Sequence, residues 1–333
     1  MSADSPVRDA APVGFWRPMT GGGIALVALG AALWGTDPLF RRGLALSLPT
    51  PALVLVEHLL PTVLLAPFVV RGLRRAARVF GFREWLALLV LGFGASALAT
   101  ILFTEAFTFG SPTTPVLLQQ VQPLFAVAGA RLLLGERLRP RFGAFLVAGL
   151  IGAYLIAFAN PLSVGAQGLV PALLALAAAA LWGTGTVLGR RLGALMPFAE
   201  LTALRLFFGL IASAAVAVPT GSVAALGSLS GTAVLALVLL ALVPGLLALL
   251  VYYRGLQSTP ASAATLAELA FPLTTVVVNY LAFGAVLSPT QWIGVVLLAG
   301  TVTVMGTVRA RGSSIGVIAV RPPLPIREAV EGG

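Results

Sequence analysis

The stretch Leu33-Trp-Gly-Thr36 recurs in the second half of the chain as Leu181-Trp-Gly-Thr184. A second pair of related stretches lies further along, where Gln119-Gln-Val-Gln-Pro123 corresponds to Glu268-Leu-Ala-Phe-Pro272 at an offset of 149 residues. Similarity of this kind at a nearly constant offset is typical of a chain built from two copies of one structural unit. The sequence therefore predicts an internally duplicated fold.

The composition indicates what kind of unit is duplicated. Of the 333 residues, 59% are hydrophobic and only 10% are charged, and the mean hydropathy is +1.01. A soluble domain carries about a quarter charged residues, so this composition excludes a soluble globular enzyme. Apolar stretches of roughly 20 residues, long enough to cross a bilayer as helices, recur along the chain. They are predicted at 21–40, 52–70, 84–106, 112–134, 142–159, 168–188, 198–219, 231–256, 261–286 and 289–308.

Ten predicted spans divide into five for each half. An odd number of spans forces the second half to cross the bilayer in the opposite sense to the first. We therefore predict an all-α integral membrane protein whose ten transmembrane helices form two inverted five-helix repeats, at 21–159 and 168–308. The polar, proline-containing ends at 1–20 and 309–333 are predicted to be disordered cytoplasmic segments.

The positive charges predict how the protein is oriented. All 21 cationic residues are arginine, and the formal net charge is +10. With the N-terminus inside, 18 arginines fall on the cytoplasmic side, whereas only Arg41 and Arg42 fall in outer loops. This positive-inside bias predicts a multi-pass protein of the cytoplasmic (inner) membrane with both termini in the cytoplasm. The arginines lie in short loops, an arrangement that favours contact with anionic lipid over binding of nucleic acid.

Residue types that commonly hold metals or cofactors are scarce. The chain has no cysteine and a single histidine, so disulfides, thiolate metal sites and histidine-rich metal sites are excluded. We therefore expect neither a metal nor a cofactor.

These motifs resemble those of the drug/metabolite transporter superfamily, in its EamA-type branch. The resemblance rests on the tryptophan–glycine pair in each half and on the ends of the related segments. Those ends are Pro123-Leu-Phe with Leu134-Gly-Glu-Arg-Leu138, and Pro272-Leu-Thr with Phe283-Gly284 and Gln291-Trp-Ile-Gly294. The resemblance implies a ten-helix carrier of small metabolites, with a central cavity lined mainly by spans 1, 3, 4, 6, 8 and 9.

Two positions depart from the pattern of the family. Its second spans usually carry an arginine, which Arg205 provides in the second half, but the first half has Glu57-His58 there. The glycine–glutamate pair is kept as Gly135-Glu136 but becomes Gly284-Ala285 in the second half.

Charged side chains within the predicted spans form two groups. One group, near the outer ends of spans 1–3, comprises Asp37, Arg41, Glu57, His58 and Glu105. The other, near the inner ends of spans 7 and 8, comprises Glu200, Arg205 and Arg254. A charge at the bilayer centre costs about 2.5–3.5 kcal/mol, so each needs a partner, water or a function. The groups are interpreted either as two gates that form alternately or as ordinary interfacial ion pairs.

Polar residues next to prolines mark a candidate binding site. Gln119 and Gln122 precede Pro123, and Glu268 precedes Pro272 at the matching place of the second half. Interrupted helices at matching midplane positions are typical of the substrate sites of carriers. Glutamines in spans also form hydrogen bonds between helices, which is the alternative interpretation. Glu268 is a candidate for holding and releasing a proton or for binding an amine.

Trp34 and Trp182 are candidates for stacking on a substrate, with packing between spans as the alternative.

The function predicted from these residues is secondary transport, not enzymatic catalysis. The substrate would be a small amino-acid-like or amphipathic metabolite, moved by alternating access, with export as the expected direction. There are two alternatives to a carrier. One is a lipid-modifying enzyme that uses Glu57 and His58 as an acid–base pair, and the other is a membrane subunit that does not transport. Spans 5 and 10 hold few polar residues, so they could form a homodimer contact.

Overall fold

The computed structural model describes residues 21–109, 113–119, 121–134, 142–157, 160, 162, 166–193, 195–256, 267 and 270–312. Every regular element within these residues is helical, as the sequence predicts. The segments 1–20 and 313–333 lie outside the described residues, and so does Glu268.

The first half consists of helices of 7 to 16 residues separated by short breaks. They are α1 Gly21–Trp34, α2 Asp37–Ser47, α3 Thr50–Leu64, α4 Ala66–Val79, α5 Phe82–Leu89, α6 Ala99–Ala106, α7 Thr113–Gln119, α8 Gln122–Leu134 and α9 Phe142–Ala157. A π-helical segment, π1 (Val90–Leu98), joins α5 to α6, and a 3₁₀ turn at Phe107–Phe109 follows.

The second half begins with two long uninterrupted helices. Its helices are α10 Ala166–Gly193, α11 Phe198–Ala217, α12 Gly231–Leu240, α13 Ala248–Leu256, α14 Ala270–Phe283 and α15 Pro289–Gly312. A π-helical segment, π2 (Ala241–Leu247), joins α12 to α13, and a 3₁₀ segment at Ser222–Ser228 precedes α12. The two π-helical segments therefore fall at corresponding places of the two halves.

Several helices have the length and composition of membrane spans. Among the described residues, continuous helices that are long and apolar enough run over Phe82–Phe109, Gly168–Gly193, Phe198–Ala217 and Gly231–Gly255. Together with the apolar composition of the chain, they identify a multi-pass membrane protein. The number of ten spans and the inverted relation of the halves stay predictions.

One further candidate span is sharply bent. Helices α3 and α4 together pass the length and hydropathy test, but they meet at 83°. In α4 the buried residues are Val69, Gly72 and Ala76, whereas the arginines Arg71, Arg74, Arg75 and Arg78 are exposed. This amphipathic pattern is typical of a helix that lies in the plane of the interface.

The halves interlock through their helices. Helix α1 packs against α13 and α14 of the second half, whereas α10 packs against α6 and α8 of the first. Helix α3 packs against α11, and α9 packs against α15. These crossed contacts leave a cavity at the centre, between the two halves.

Candidate functional site

A cavity of about 220 Å³ lies between the halves. Its lining comes from both halves and includes spans 2 and 7 in addition to those implied by the family resemblance. The aromatic lining residues are Trp34, Phe103, Trp182, Tyr252, Tyr253 and Phe271. The charged and amide lining residues are Asp37, Arg41, Glu57, Arg205, Gln119 and Gln122, and His58, Ser96, Thr100 and Thr186 add further polar groups.

Two matching aromatic pairs form walls of the cavity. The rings of Trp34 and Tyr252 have centroids 4.7 Å apart at an interplanar angle of 46°. The rings of Phe103 and Trp182 have centroids 5.1 Å apart at 66°. The two tryptophans are matching residues of the repeated motif, and Phe103 and Tyr252 are separated by the repeat offset of 149 residues. Each tryptophan thus pairs with an aromatic residue of the opposite half.

The glycine after each tryptophan explains how these walls are held. A Cβ atom on Gly35 would lie 2.6 Å from Cβ of Thr274 and 2.8 Å from the Phe271 carbonyl oxygen. A Cβ atom on Gly183 would lie 2.8 Å from both Cβ of Phe125 and the Gln122 carbonyl oxygen. Because only glycine permits these contacts, the repeated motif places α1 directly on α14, and α10 directly on α8.

Arg41 is the centre of a buried ionic cluster. Its Nε donates to Asp37 Oδ1 over 2.7 Å, and its Nη2 donates to Asp37 Oδ2 over 2.7 Å and to Glu57 Oε1 over 2.5 Å. Its Nη1 donates to Glu57 Oε2 over 2.9 Å and to Thr104 Oγ1 over 2.5 Å. A guanidinium has five N–H groups, so all the donors of Arg41 are satisfied. With both carboxyl groups ionised, the cluster of Asp37, Arg41 and Glu57 carries one net negative charge.

His58 lies beside Glu57 in sequence but contacts other groups. Its Nδ1 is 2.8 Å from the Val54 carbonyl oxygen, and its Nε2 is 3.0 Å from Ser96 Oγ. Helix α11 comes very close here, because a Cβ atom on Gly209 would lie 2.6 Å from His58 Nε2. His58 therefore ties α3 to π1, while the oxygens of Glu57 face Arg41.

Glu105, the last member of the predicted outer group, is not a lining residue of the cavity. Its Oε2 accepts a hydrogen bond of 2.6 Å from Thr50 Oγ1. This contact ties α6 to the start of α3.

The predicted inner group is dispersed in the structure. Arg205 lines the cavity, where its Nη2 donates to the Ala95 carbonyl oxygen over 3.0 Å and its Nη1 donates to the Tyr253 hydroxyl over 3.3 Å. Glu200 instead pairs with Arg75 over 2.6 Å. Arg254 is exposed near the end of α13.

A second ion pair lies close in sequence to this group. Arg191 Nη2 contacts Glu84 Oε1 over 2.6 Å, which joins α10 to α5. This contact pairs an arginine at the end of α10 with an acid of the first half.

Of the polar residues that precede the two prolines, those that the structure describes lie at the cavity. Gln119 and Gln122 both line it, and Gln122 Nε2 lies 3.4 Å from Thr186 Oγ1. Helix α7 ends at Gln119 and α8 begins at Gln122, so the helix is interrupted directly before Pro123. Pro272 lies in α14.

Sequence reasoning did not single out Phe103, Ser96 or the π-helical segments. Phe103 could have been found from the repeat, because it corresponds to Tyr252 in the other half. The register of the π-helical segments left no signal in the residue pattern.

The family model for the EamA-like transporter family matches the chain twice, over residues 21–158 and 169–307. The chain belongs to the EamA-like transporter family. This confirms the membership that the motifs predicted. The family is named for transport, which indicates a transporter of a small molecule.

Two curated relatives of this EamA-family chain are named for one solute. Riboflavin transporter ImpX of Fusobacterium nucleatum is 32% identical over 285 residues, which cover 83% of this chain and 94% of that protein. A riboflavin transporter of Rhizobium johnstonii is 30% identical over 207 residues, covering 58% of this chain and 63% of that protein. The chain also matches a solved crystal structure at 23% sequence identity. The match covers 87% of this chain and 98% of that chain with a TM-score of 0.56, so the two share a fold.

Proposed function

We propose that this protein is a secondary carrier that moves riboflavin, or a closely related flavin, across the cytoplasmic membrane. The observation that carries the proposal is the central cavity walled by the pairs Trp34–Tyr252 and Phe103–Trp182. A flavin has a flat tricyclic ring and a polar ribityl chain, and aromatic walls with amide and charged groups suit both parts. The names of the two relatives support the same solute.

The size of the cavity argues for movement during transport. Sites for drug-sized ligands occupy roughly 300–1,000 Å³, whereas this cavity measures about 220 Å³. A flavin therefore requires the surrounding helices to separate when it binds. The crossed packing of α1 and α10 supports rocking of one half against the other as the way in which access alternates between the two sides.

The architecture behind this mechanism is also a proposal. Two inverted repeats of five spans each are supported by the double family match at 21–158 and 169–307 and by the matching contacts of Gly35 and Gly183. The arginine distribution supports an inner-membrane protein with cytoplasmic termini.

The ionic contacts are candidates for two gates at different levels of the protein. Under this proposal, the cluster of Asp37, Arg41 and Glu57 closes one side of the cavity. The contacts Arg75–Glu200 and Arg191–Glu84 close the other. Export as the direction, proton coupling through Glu268 and a homodimer contact through α9 and α15 stay predictions.

Counterflow in proteoliposomes tests the carrier. Vesicles loaded with unlabelled riboflavin should accumulate labelled riboflavin from outside and leave it chemically unaltered. The double variant W34A/W182A should abolish this accumulation, whereas W292F, at a half-exposed tryptophan away from the cavity, should keep it. Absence of counterflow in the wild-type protein would overturn the proposal, and a chemically altered flavin would point to an enzyme.

Net movement in the same vesicles tests the direction and the coupling. Export predicts that inside-out membrane vesicles take up riboflavin, and proton coupling predicts that an imposed pH gradient accelerates this uptake. The variant E268Q should then lose the response to the gradient while it still performs counterflow. An unchanged response in E268Q would remove Glu268 from the coupling.

A further inference from the structure

The charges of the cavity are unequally compensated. Among the described residues, the charged side chains that line the cavity are Asp37, Arg41, Glu57 and Arg205. Arg41 is surrounded by two carboxylates and has no N–H group left for a ligand. Arg205 forms no salt bridge within the part of the chain that the structure describes, and its two hydrogen bonds go to uncharged oxygens.

The π-helical segment explains how Arg205 is held. At the end of π1, the Ala99 N–H donates to the carbonyl of Gly94, five residues earlier. Helix α6 begins at Ala99, so Ala95 lies in the last turn of the wider π-helical segment, next to the change of register. Arg205 Nη2 donates to the carbonyl of Ala95 over 3.0 Å. A backbone group and the Tyr253 hydroxyl thus fix the guanidinium without neutralising it.

The remaining donors of Arg205 define the chemistry of its ligand. A guanidinium has five N–H groups, and the two contacts with Ala95 and Tyr253 leave three for a ligand. Its planar fork binds two adjacent acceptor atoms at once, which a point charge such as lysine does not do as well. An uncompensated cation in the membrane is expensive, so a ligand acceptor that pairs with it adds to the affinity.

We infer that Arg205 binds the carbonyl-bearing edge of the substrate's planar ring. The inference rests on the proposed function. In an oxidised isoalloxazine ring, each carbonyl oxygen lies near one ring nitrogen that carries no hydrogen. That oxygen and that nitrogen form the paired acceptors that a guanidinium fork requires. The ribityl hydroxyls can donate to the carboxylates of Asp37 and Glu57. A phosphate on the ribityl chain would then approach the net negative Asp37–Arg41–Glu57 cluster, so the site selects the unphosphorylated flavin.

Binding measurements on the purified full-length protein test this assignment. Quenching of flavin fluorescence gives the Kd of riboflavin, lumiflavin and flavin mononucleotide. Lumiflavin keeps the ring but has a methyl group in place of the ribityl chain. The variant R205Q should weaken riboflavin and lumiflavin by similar factors of about ten to a hundredfold, the usual value of a charged hydrogen bond. R205K should fall between R205Q and the wild type, because it keeps the charge and loses the fork. The wild-type protein should bind flavin mononucleotide less tightly than riboflavin.

The outcomes separate this inference from the proposed function. If the wild-type protein binds no flavin, the proposed function and this inference are both wrong. If the wild-type protein binds riboflavin, and R205Q and R205K bind riboflavin as tightly as the wild type does, only the role of Arg205 is wrong. A loss confined to riboflavin, or tighter binding of flavin mononucleotide, would also overturn the inference, because either would place Arg205 at the ribityl end. R42Q is the matched control, since Arg42 lies over the Phe283 ring and not in the cavity.

Discussion

Arg41 and Glu57 lie sixteen residues apart in the chain and are joined by two hydrogen bonds of 2.9 and 2.5 Å. Both side chains are more than nine-tenths buried, and the bonds connect α2 to α3. Through Thr104, Arg41 also reaches α6. A buried pair of this kind holds its helices in one arrangement, because separating the charges leaves each of them without compensation.

Removing the charge of Arg41 should therefore destabilise the protein and impair transport. R41Q leaves the carboxylates of Asp37 and Glu57 facing each other in a buried site, and breaking a buried pair costs about 3–5 kcal/mol. We expect a lower melting temperature in detergent and a loss of riboflavin counterflow in protein that still inserts into the membrane. D37N should impair transport as well, with a smaller loss of stability, because Glu57 continues to neutralise Arg41.

R42Q is the control for this prediction, because it removes the neighbouring arginine of the same helix. It should change the melting temperature little. If R41Q and D37N both transport at the wild-type rate, the ionic cluster has no part in gating and is only a structural contact.

The glycines of the repeated motif should not tolerate a methyl group. A Cβ atom on Gly35 or Gly183 would come within 3.0 Å of backbone atoms of the facing helix, and backbone cannot rotate away as a side chain does. Overpacking of this kind costs typically 1–3 kcal/mol. We expect G35A and G183A each to lower the melting temperature and to reduce flavin binding, because the adjacent tryptophan moves with the helix.

Gly43 provides the matched control, since a Cβ atom there has nothing within 4 Å. G43A should leave binding unchanged and stabilise α2 slightly, as alanine favours a helix over glycine. Equal behaviour of G35A, G183A and G43A would show that the close approach at the motif is not required.

The repeated motif made much of this arrangement predictable. The Trp-Gly pair and the proline that follows the polar residues recur in both halves of the sequence. The structure packs the glycines of this motif, Gly35 and Gly183, on α14 and α8. The bounds of the most apolar spans were also predictable, because their hydropathy alone sets them. The most apolar of them, Gly231–Gly255, differs by one residue at one end from the predicted span 231–256.

The partners of the charged residues were less predictable, because they depend on tertiary contacts. Arg75 and Glu200 are separated by 125 residues, and no local pattern links them. Arg205 donates to the carbonyl of Ala95 within a π-helical segment, whose register residue types do not reveal. By contrast, Asp37 and Arg41 lie four residues apart in one helix, so their contact could be predicted from helical geometry.

Pro244 should be needed for transport more than for stability. In a regular α-helix its ring would clash with the carbonyl of Leu240, and the π-helical register avoids this clash. Pro244 and Gly245 line the cavity, and π segments inside helices are common at functional sites. P244A permits the regular α-helical register, so we expect an unchanged or higher melting temperature together with slower riboflavin counterflow.

Pro171 in α10 is the control for this variant, because it also lies inside a helix but does not line the cavity. P171A should keep the wild-type rate of counterflow. If P244A does so too, the wide turn of π2 has no role in transport.

The ion pair between Arg75 and Glu200 should matter for transport although it adds little stability. The Arg75 side chain is 46% exposed, whereas that of Glu200 is 9% exposed, and an ion pair with one solvent-exposed partner contributes at most about 1 kcal/mol. The pair joins α4 to α11, which also carries Arg205. Reversing one charge in E200R places two arginines together, so we expect counterflow to fall severalfold while the melting temperature shifts by only a few degrees.

The double variant R75E/E200R restores opposite charges and should restore transport, whereas R74E, at an exposed neighbouring arginine, should have no effect. Transport by E200R at the wild-type rate, or a double variant as slow as E200R, would mean that the contact is a passive surface pair and does not close the cavity.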